Sequence, residues 1–475
     1  MEAALPTSNY QPERAIDEIA DFLADPVRPA DFPSHILRFR NDRAARTVGL
    51  DDLDDASWID HFGRFTALPD AQPEPLALRY HGHQFRVYNP DLGDGRGFLF
   101  AQLREDRAAG GRLLDLGTKG SGLTPYSRTA DGRLTLKGGV REILATEMLE
   151  ALGVTTSRTF SLIETGEQLV RGDEPSPTRS AVLVRMSHGH IRIGSFQRLA
   201  QRGETAHLAR LVDYCLAKLL DRTPGDNPAL TLLECVVERA ADLAASYMVA
   251  GFVHGVLNTD NIAITAESFD YGPWRFTPHW DPGFTAAYFD QTGLYAFARQ
   301  AEAIHWNLAQ LARSLQDLTE VDAMVEVLRR YPALYESRLI ARFLWRLGLE
   351  TPDAEAGRAF VVAAVEVLRG HPVLIDQFFF DWRRGEHEAP LYAGVAWDAL
   401  RTARTALTAR DGSTAHAYWG GEAPCSMHID EVEAIWRAIA EADDWQPLAD
   451  KIEAVRAMGT AHGPGPAPSE STSAS

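Results

Sequence analysis

The chain reads as an α+β protein of two lobes: a strand-rich lobe holding one key helix, then a mostly helical lobe. Three observations carry this. Between about 76 and 200, short apolar runs alternate with Gly-rich turns. One helical pattern, Val140–Leu152, interrupts them and stops at Gly153, a normal residue just past a helix end. From about 204 onward, apolar residues recur at helical spacing. Runs of strands followed by runs of helices mark the α+β class.

Residues 1–60 read as an N-terminal helical extension. Apolar side chains keep helical spacing over 13–24, and Pro26, Pro29 and Pro33 then break the pattern. In the 61–200 lobe, strands are expected at Gly97–Leu103, Leu113–Leu116, Thr159–Ile163 and Ala181–Met186. The helical lobe spans 201–458. It opens with one amphipathic face through Leu208, Leu211, Val212, Cys215, Leu216, Leu219 and Leu220. Further helical patterns lie at about 228–250, 299–317, 335–348, 354–369, 394–409 and 430–441. An irregular polar insert, 253–290, sits between two of them, and such inserts usually carry function. Residues 459–475 are mostly Gly, Pro, Ala and Ser and read as a disordered tail.

The 475 residues, 45% of them hydrophobic, are ample for a large core. A net charge of −19 repels polyphosphate backbones, so nucleic acid is not an expected partner. Cys215, Cys235 and Cys425 are far apart, which fits a reducing compartment rather than a disulfide framework. Acids at Glu2, Glu13, Asp17 and Glu18 argue against a signal peptide, and no apolar stretch is long enough to span a bilayer. A cytoplasmic protein without a membrane partner is expected. Lysine is rare: Lys119, Lys137, Lys218 and Lys451 stand against 43 arginines. A retained lysine marks a place where a compact ammonium suits better than a forked guanidinium, which draws attention to Lys119.

Five strings carry the chemistry. Leu92-Gly-Asp-Gly-Arg-Gly97 precedes an apolar strand. Gly93 and Gly95 would let backbone amides approach a phosphate and Arg96 adds charge, although Asp-Gly is also a common hairpin turn. Lys119, in Leu116-Gly-Thr-Lys-Gly-Ser-Gly122, ends a strand and could reach nucleotide phosphates. Glu142 lies early in the lone helix, the right order and element to pair with Lys119; alone it would be a helix-start acid favoured by the dipole. Arg185 and Arg192 follow the last strand of the first lobe and could clamp phosphates. In an Arg-rich chain they could also be surface residues.

The sharpest string is His254-Gly-Val-Leu-Asn-Thr-Asp-Asn261, followed by Asp270-Tyr-Gly272. It aligns without a gap on the protein-kinase catalytic loop His-Arg-Asp-Leu-Lys-Pro-Glu-Asn and its later Asp-Phe-Gly. Asn261 and Asp270 take the places of the two metal ligands, with hard oxygens suited to Mg2+ or Mn2+. A protein-kinase-like fold is therefore expected. The catalytic Asp position holds Val256, which cannot accept a proton. Asp260 is the nearby carboxylate. His81-Gly-His83 has metal-like spacing without a partner nearby and reads as structural.

Together, His81–Phe85, Leu92–Gly97, Lys119–Arg128, Asp131-Gly-Arg133, Val140-Arg-Glu142, Val253–Asn261 and Asp270-Tyr-Gly-Pro273 resemble the selenoprotein O (YdiU) family of protein adenylyltransferases. The resemblance covers roughly residues 78–290. It implies a pseudokinase that binds ATP in an inverted orientation and transfers AMP to Ser, Thr or Tyr hydroxyls of protein substrates. It further implies that Lys119 pairs with Glu142 and holds phosphates. Nucleotide contacts would come from Gly93, Gly95, Arg96, Asp131, Gly132, Arg185 and Arg192, the metal would sit on Asn261 and Asp270, and Asp260 would be the proton acceptor. Family members often carry a Cys pair near the C-terminus; here no cysteine follows Cys425. UMP transfer, an atypical kinase and a non-catalytic nucleotide sensor remain the alternatives on the same fold.

Overall fold

Strands buried on both faces explain the near-continuous apolar runs of the first lobe. The computed structural model describes residues 9–172 and 174–466. In chain order the strands are β1 (Pro12–Glu13), β2 (Ala24–Pro26), β3 (Ile36–Arg40), β4 (Leu76–Leu78), β5 (Gly82–Gln84), β6 (Val87–Asn89), β7 (Leu99–Arg104), β8 (Leu113–Lys119), β9 (Leu134–Thr135), β10 (Arg158–Leu169) and β11 (Thr178–Ser187). The main sheet is antiparallel and runs β2-β4-β7-β8-β11-β10-β3, with β1 on β7 and β9 on β11. β5 and β6 form a separate hairpin.

Side chains alternate between the two faces of a strand. Leu113, Leu162, Ala181 and Leu183 pack with the helix Leu136–Ala151. Leu114, Leu116, Phe160, Val182 and Val184 pack on the other side with Val48, Trp58 and Phe62. The N-terminal segment is thus the second cover of the sheet. Within residues 1–60, read from sequence as a helical extension, the 13–24 stretch forms only the short turns Ala15–Glu18 and Ala20–Leu23; the described part from residue 9 otherwise supplies β1, β2 and β3 plus the short helices Asp42–Arg46 and Asp55–Phe62. Strands this short, set among prolines, leave no period for sequence reading to detect.

The helix Leu136–Ala151 starts where Thr135 Oγ1 accepts the amide of Gly138. It ends at Gly153, whose φ of 74° needs no Cβ to be avoided. Gly139 lets it approach the sheet closely: a Cβ there would stand 2.3 Å from Leu162.

The second lobe is helical, built around Pro228–Ala250, with Gln300–Ser314, Tyr331–Leu347 and Ala354–Gly370 packed near it. Ile193–Gln201, Val321–Arg329, Ile375–Arg383 and Gln446–His462 are helices that the sequence patterns did not single out. The last of these takes in Gly459–His462, which composition had assigned to the tail. Residues 467–475 lie outside the described residues. The fold is α+β with the layout of a protein kinase: an antiparallel sheet, one helix docked on it, then a helical lobe. No helix among the described residues is long and apolar enough to cross a membrane.

Arg342, held in a buried ion pair within the helical lobe, also ties that lobe to the first. Arg342 donates to Asp242 from Nε at 2.7 Å and, from Nη1, to the Gly153 carbonyl at 2.6 Å, just past the end of the first-lobe helix. Arg342→Met leaves Asp242 uncompensated and is expected to cost about 3–5 kcal/mol, read as a lowered urea midpoint. Arg342→Met with Asp242→Leu is expected to cost clearly less.

Candidate active site

Register places the first two cations on one face. Lys119 ends β8 opposite Leu183 of β11, and Arg185 stands two residues on, opposite Gly117. Residues two apart on a strand share a face. Gly117 has no side chain because His190 fills the space: a Cβ would lie 2.1 Å from its ring. His190 in turn meets Arg185 Nε at 3.2 Å and is anchored by its own amide on Asp115 at 2.9 Å.

Lys119 Nζ lies 2.5 Å from Glu142 Oε2 on the helix Leu136–Ala151. Both side chains are almost fully buried. The third member is Asp270, whose Oδ1 is 3.1 Å from Lys119 Nζ and 3.5 Å from Arg185 Nη1. Arg192 Nη1 stands 3.9 Å from Asp270 Oδ2. Arg192 also holds Asp94 at 3.2 Å and the Asp260 carbonyl at 2.8 Å, lying over the rings of Tyr80 and Phe269.

The loop that carries Asp260, Asn261 and Asp270 is pinned from several sides. Gly251 ends the helix Pro228–Ala250 in a left-handed conformation, and Phe252 then pairs with Phe276. Gln300 Oε1 accepts the His254 amide at 3.0 Å, and Asn307 Nδ2 donates to the Leu257 carbonyl at 2.8 Å. His254 Nε2 reaches the Phe269 carbonyl at 3.0 Å, one residue before Asp270. Asp270 itself has a φ of 65°, a left-handed backbone that is uncommon without glycine.

A cavity of about 420 Å³ joins these groups. Gly93, Gly95, Arg96, Lys119, Arg185, Arg192, Asp260, Asn261 and Asp270 all line it, and Val256 is in its wall. Glu142 lies behind Lys119 and does not line it. Asp131 and Gly132 are not brought to the wall either. The chain leaves it at Ala130, and Asp131 is half-exposed and paired with Arg171 at 2.8 Å.

The two aspartates on the wall are in opposite electrical settings. Burial pushes the Asp270 carboxyl up, but Lys119, Arg185, Arg192 and Arg96 outweigh it and hold it well below the usual range. Burial dominates at Asp260, only partly countered by Arg192, and its carboxyl is pushed up to about 6. Its Oδ2 accepts from Gln84 Nε2 at 3.2 Å, and its Oδ1 has no donor among the described residues.

The family model described as protein adenylyltransferase SelO matches residues 6–392. The chain belongs to the SelO family. Proteins named nucleotidyltransferase YdiU from Synechocystis sp., Gloeobacter violaceus and Synechococcus elongatus are 41%, 42% and 42% identical to it. They align over 94%, 94% and 93% of this chain and 98%, 95% and 94% of their own lengths. A Toxoplasma gondii rhoptry antigen kinase domain and ROP2 from the same organism, titled as a protein-kinase fold with no enzymatic activity, cover 62% and 68% of this chain and 85% of each of theirs. They are 11% and 13% identical at a TM-score of 0.26, too loose a likeness to carry weight.

Within this SelO-family site the structure adds residues that sequence reading passed over. Asp94 sits between Gly93 and Gly95 and anchors Arg192. Tyr126 explains the glycines beside it: a Cβ on Gly93 would lie 2.3 Å from its ring, and one on Gly95 would lie 2.9 Å from its carbonyl. Tyr126 belongs to the Lys119–Arg128 string, but nothing in a lone tyrosine marked it. Gln84, in the His81–Phe85 string, reaches the cavity as well.

The donor set fits a divalent cation shared with a phosphate. Among the described residues no group of three or more His, Cys, Asp or Glu could form a cage. Mg2+ is commonly held by only one or two carboxylates plus substrate phosphates. Asp270 stays ionised, and Asn261 Nδ2 donates to the Val256 carbonyl at 2.9 Å, which commits the amide nitrogen and leaves the oxygen as acceptor. A triphosphate would add several negative charges to Glu142, Asp94 and Asp270, more than the four cations can balance.

The lysine–glutamate pair is expected to behave as one unit. Lys119→Met leaves buried Glu142 only Arg185, 3.8 Å away, and should cost about 3–5 kcal/mol in urea denaturation. Adding Glu142→Gln should recover most of that loss, giving a coupling of at least about 1 kcal/mol in the double-mutant cycle.

Proposed function

We propose that this protein transfers AMP from ATP to Ser, Thr or Tyr hydroxyls of protein substrates, in a metal-dependent reaction, with Asp260 as the general base. The observation that carries the reading is the state of Asp260. It lies in the cavity wall, and burial, only partly countered by Arg192, raises it to about 6. A base with that value is largely ionised at neutral pH yet still binds a proton readily. Membership of the SelO family and the adenylyltransferase description of its model support the same chemistry.

In this reading Lys119, Arg96, Arg185 and Arg192 bind the phosphates that leave, and Gly93 and Gly95 contact the nucleotide. Asp131 and Gly132 would meet only a part of the nucleotide that extends beyond Ala130. Asn261 and Asp270 would hold a Mg2+ or Mn2+ ion, which supplies charge neutralisation on the pyrophosphate. The acceptor oxygen bonds to the α-phosphorus, its proton passes to Asp260, and the bond from the α-phosphorus to the α–β bridging oxygen breaks, releasing pyrophosphate. An inverted nucleotide puts the leaving phosphates among the cations and the α-phosphorus toward Asp260. Val256, standing where a kinase keeps its base, leaves Asp260 as the nearest proton acceptor on the loop.

Incubation with metal and lysate protein is expected to transfer label from α-labelled ATP and none from γ-labelled ATP. Gamma transfer would instead mark a kinase, and preference for UTP a UMP transferase. Asp260→Asn should lower the transfer rate about 10²–10⁴-fold while nucleotide binding stays within a few-fold. Because Asp260 must be unprotonated and its carboxyl is raised, kcat/KM should fall as pH drops through about 6 and level off above it. An acid limb near 4 in the pH–rate profile would remove Asp260 from the role.

A further inference from the structure

In the string His81-Gly-His-Gln-Phe85, residues 82–85 all approach the loop of Asp260. β5 runs directly under Asn258-Thr259-Asp260. The His83 amide donates to Thr259 Oγ1 at 2.6 Å, Gln84 Nε2 to Asp260 Oδ2 at 3.2 Å, and the Phe85 amide to Asn258 Oδ1 at 3.0 Å. Three consecutive hairpin residues thus hold three consecutive loop residues. Gly82 makes the approach possible: a Cβ there would lie 3.0 Å from both Cβ and Oδ1 of Asp260.

The contacts are closed on themselves. Thr259 Oγ1 donates onward to Gln197 Oε1 at 2.6 Å, and Gln197 Nε2 meets His83 Nδ1 at 2.7 Å, completing a ring. Asn89 Nδ2 donates to Gln84 Oε1 at 3.3 Å, which fixes the Gln84 amide with its nitrogen toward Asp260. The hairpin turn itself is strained. Phe85 and Arg86 have φ of 50° and 64°, in a two-residue turn that favours Asn and Gly. Such strain persists where the surroundings over-determine it, and it clusters at functional sites. Here Phe85 is held by Tyr295, whose hydroxyl donates to the same Asn258 Oδ1 at 2.6 Å, and Arg86 by Glu302 at 3.0 Å.

The geometry points to Gln84 as a positioning residue for the proposed base: the β5–β6 hairpin is a latch from the first lobe that orients the Asp260 carboxylate through the Gln84 amide. This rests on the adenylyl-transfer reading for the role of Asp260, but the latch exists independently of it. Among the described residues, the side-chain hydrogen bond to the Asp260 carboxylate comes from Gln84. Without that donor only its own backbone amide and the charge of Arg192 act on the side chain. The hairpin lies between β4 and β7, so the latch also links the sheet lobe to the loop of the helical lobe.

Gln84→Met keeps length and removes the donor. With α-labelled ATP and a fixed amount of lysate protein as acceptor, the rate at saturating ATP should fall at least tenfold while the KM for ATP stays within twofold. Gly82→Ala, which pushes a methyl against Asp260, should give the same split and stands in where Gln84→Met melts early. In a variant that melts like wild type, an unchanged rate, or a rise in KM for ATP as large as the fall in rate, overturns the proposal. A second arm needs no turnover: amide hydrogen exchange over 258–261 should be at least tenfold faster in Gln84→Met, and an unchanged rate overturns the latch. Wild-type protein that transfers no AMP would sink the adenylyl-transfer reading alone, and the exchange arm would then decide the latch.

Discussion

Three charges from three separate elements meet in the interior, and none of them is tolerable there alone. Lys119 comes from a strand, Glu142 from the helix on the sheet, and Asp270 from the loop of the helical lobe. An isolated buried ion faces a desolvation penalty of several kcal/mol, offset only when its partners are close and well placed. Moving the helix away would strand Glu142; moving the loop away would leave Arg185 and Arg192 facing one another with fewer anions between them. The relative placement of sheet, helix and loop is therefore set by electrostatics as much as by apolar packing. The cavity is the space this arrangement leaves open on its solvent side.

The helix bearing Glu142 is also held from behind, by a part of the chain beyond the family-model match, which ends at residue 392. Arg456, on the helix Gln446–His462, grips Glu147 with two bonds at 2.8 and 2.6 Å. Gly459 lets the two helices touch: a Cβ there would lie 3.1 Å from Ala151. Lys137 at the helix start meets Glu433 at 2.7 Å. Sheet on one side and C-terminal helices on the other leave the helix little room to swing. The pairing of Lys119 with Glu142 is thus supported over a much longer stretch of sequence than the motifs themselves occupy.

Much of this was legible in the residues. The order of lobes, the four long strands and most helices followed from periodicity, because strong apolar patterns at 228–250 or 354–369 admit one reading. The pairing of Lys119 with Glu142 and their meeting with Asp270 also followed, because motif spacing encodes which element bears each group. What escaped was tertiary. The N-terminal segment joins the sheet through strands of two to five residues, whose pairing partners lie up to 128 positions away, as Ile36 and Glu164 show. Gly93 and Gly95 line the cavity, but the ring and carbonyl that leave no room for a side chain on them belong to Tyr126, over thirty residues on. Asp131 and Gly132 look adjacent to the site in sequence, yet the chain turns outward at Ala130 and pairs Asp131 with Arg171. His81-Gly-His83 read as structural despite its metal-like spacing, but spacing says nothing about which backbone amides face a loop.

Asp260 and Asp270 sit on the same loop and line the same cavity, and the structure makes them different acids. Four cations surround Asp270, so its carboxylate remains ionised even when buried. Asp260 meets an amide and little else, and Arg192, the nearest cation, is spent on its backbone carbonyl rather than its side chain. Pairs of titratable groups pushed apart in this way mark division of labour at a site. A group locked in its ionised form suits holding a cation and is useless for taking up a proton near neutral pH. A group poised near 6 suits proton transfer and binds a metal less readily at mildly acidic pH. The same argument accounts for Val256. An aspartate at that position would place a third carboxylate on the wall beside Asp260 and Asp270, raising the affinity of Asp260 for a proton and leaving less of it ionised near neutral pH.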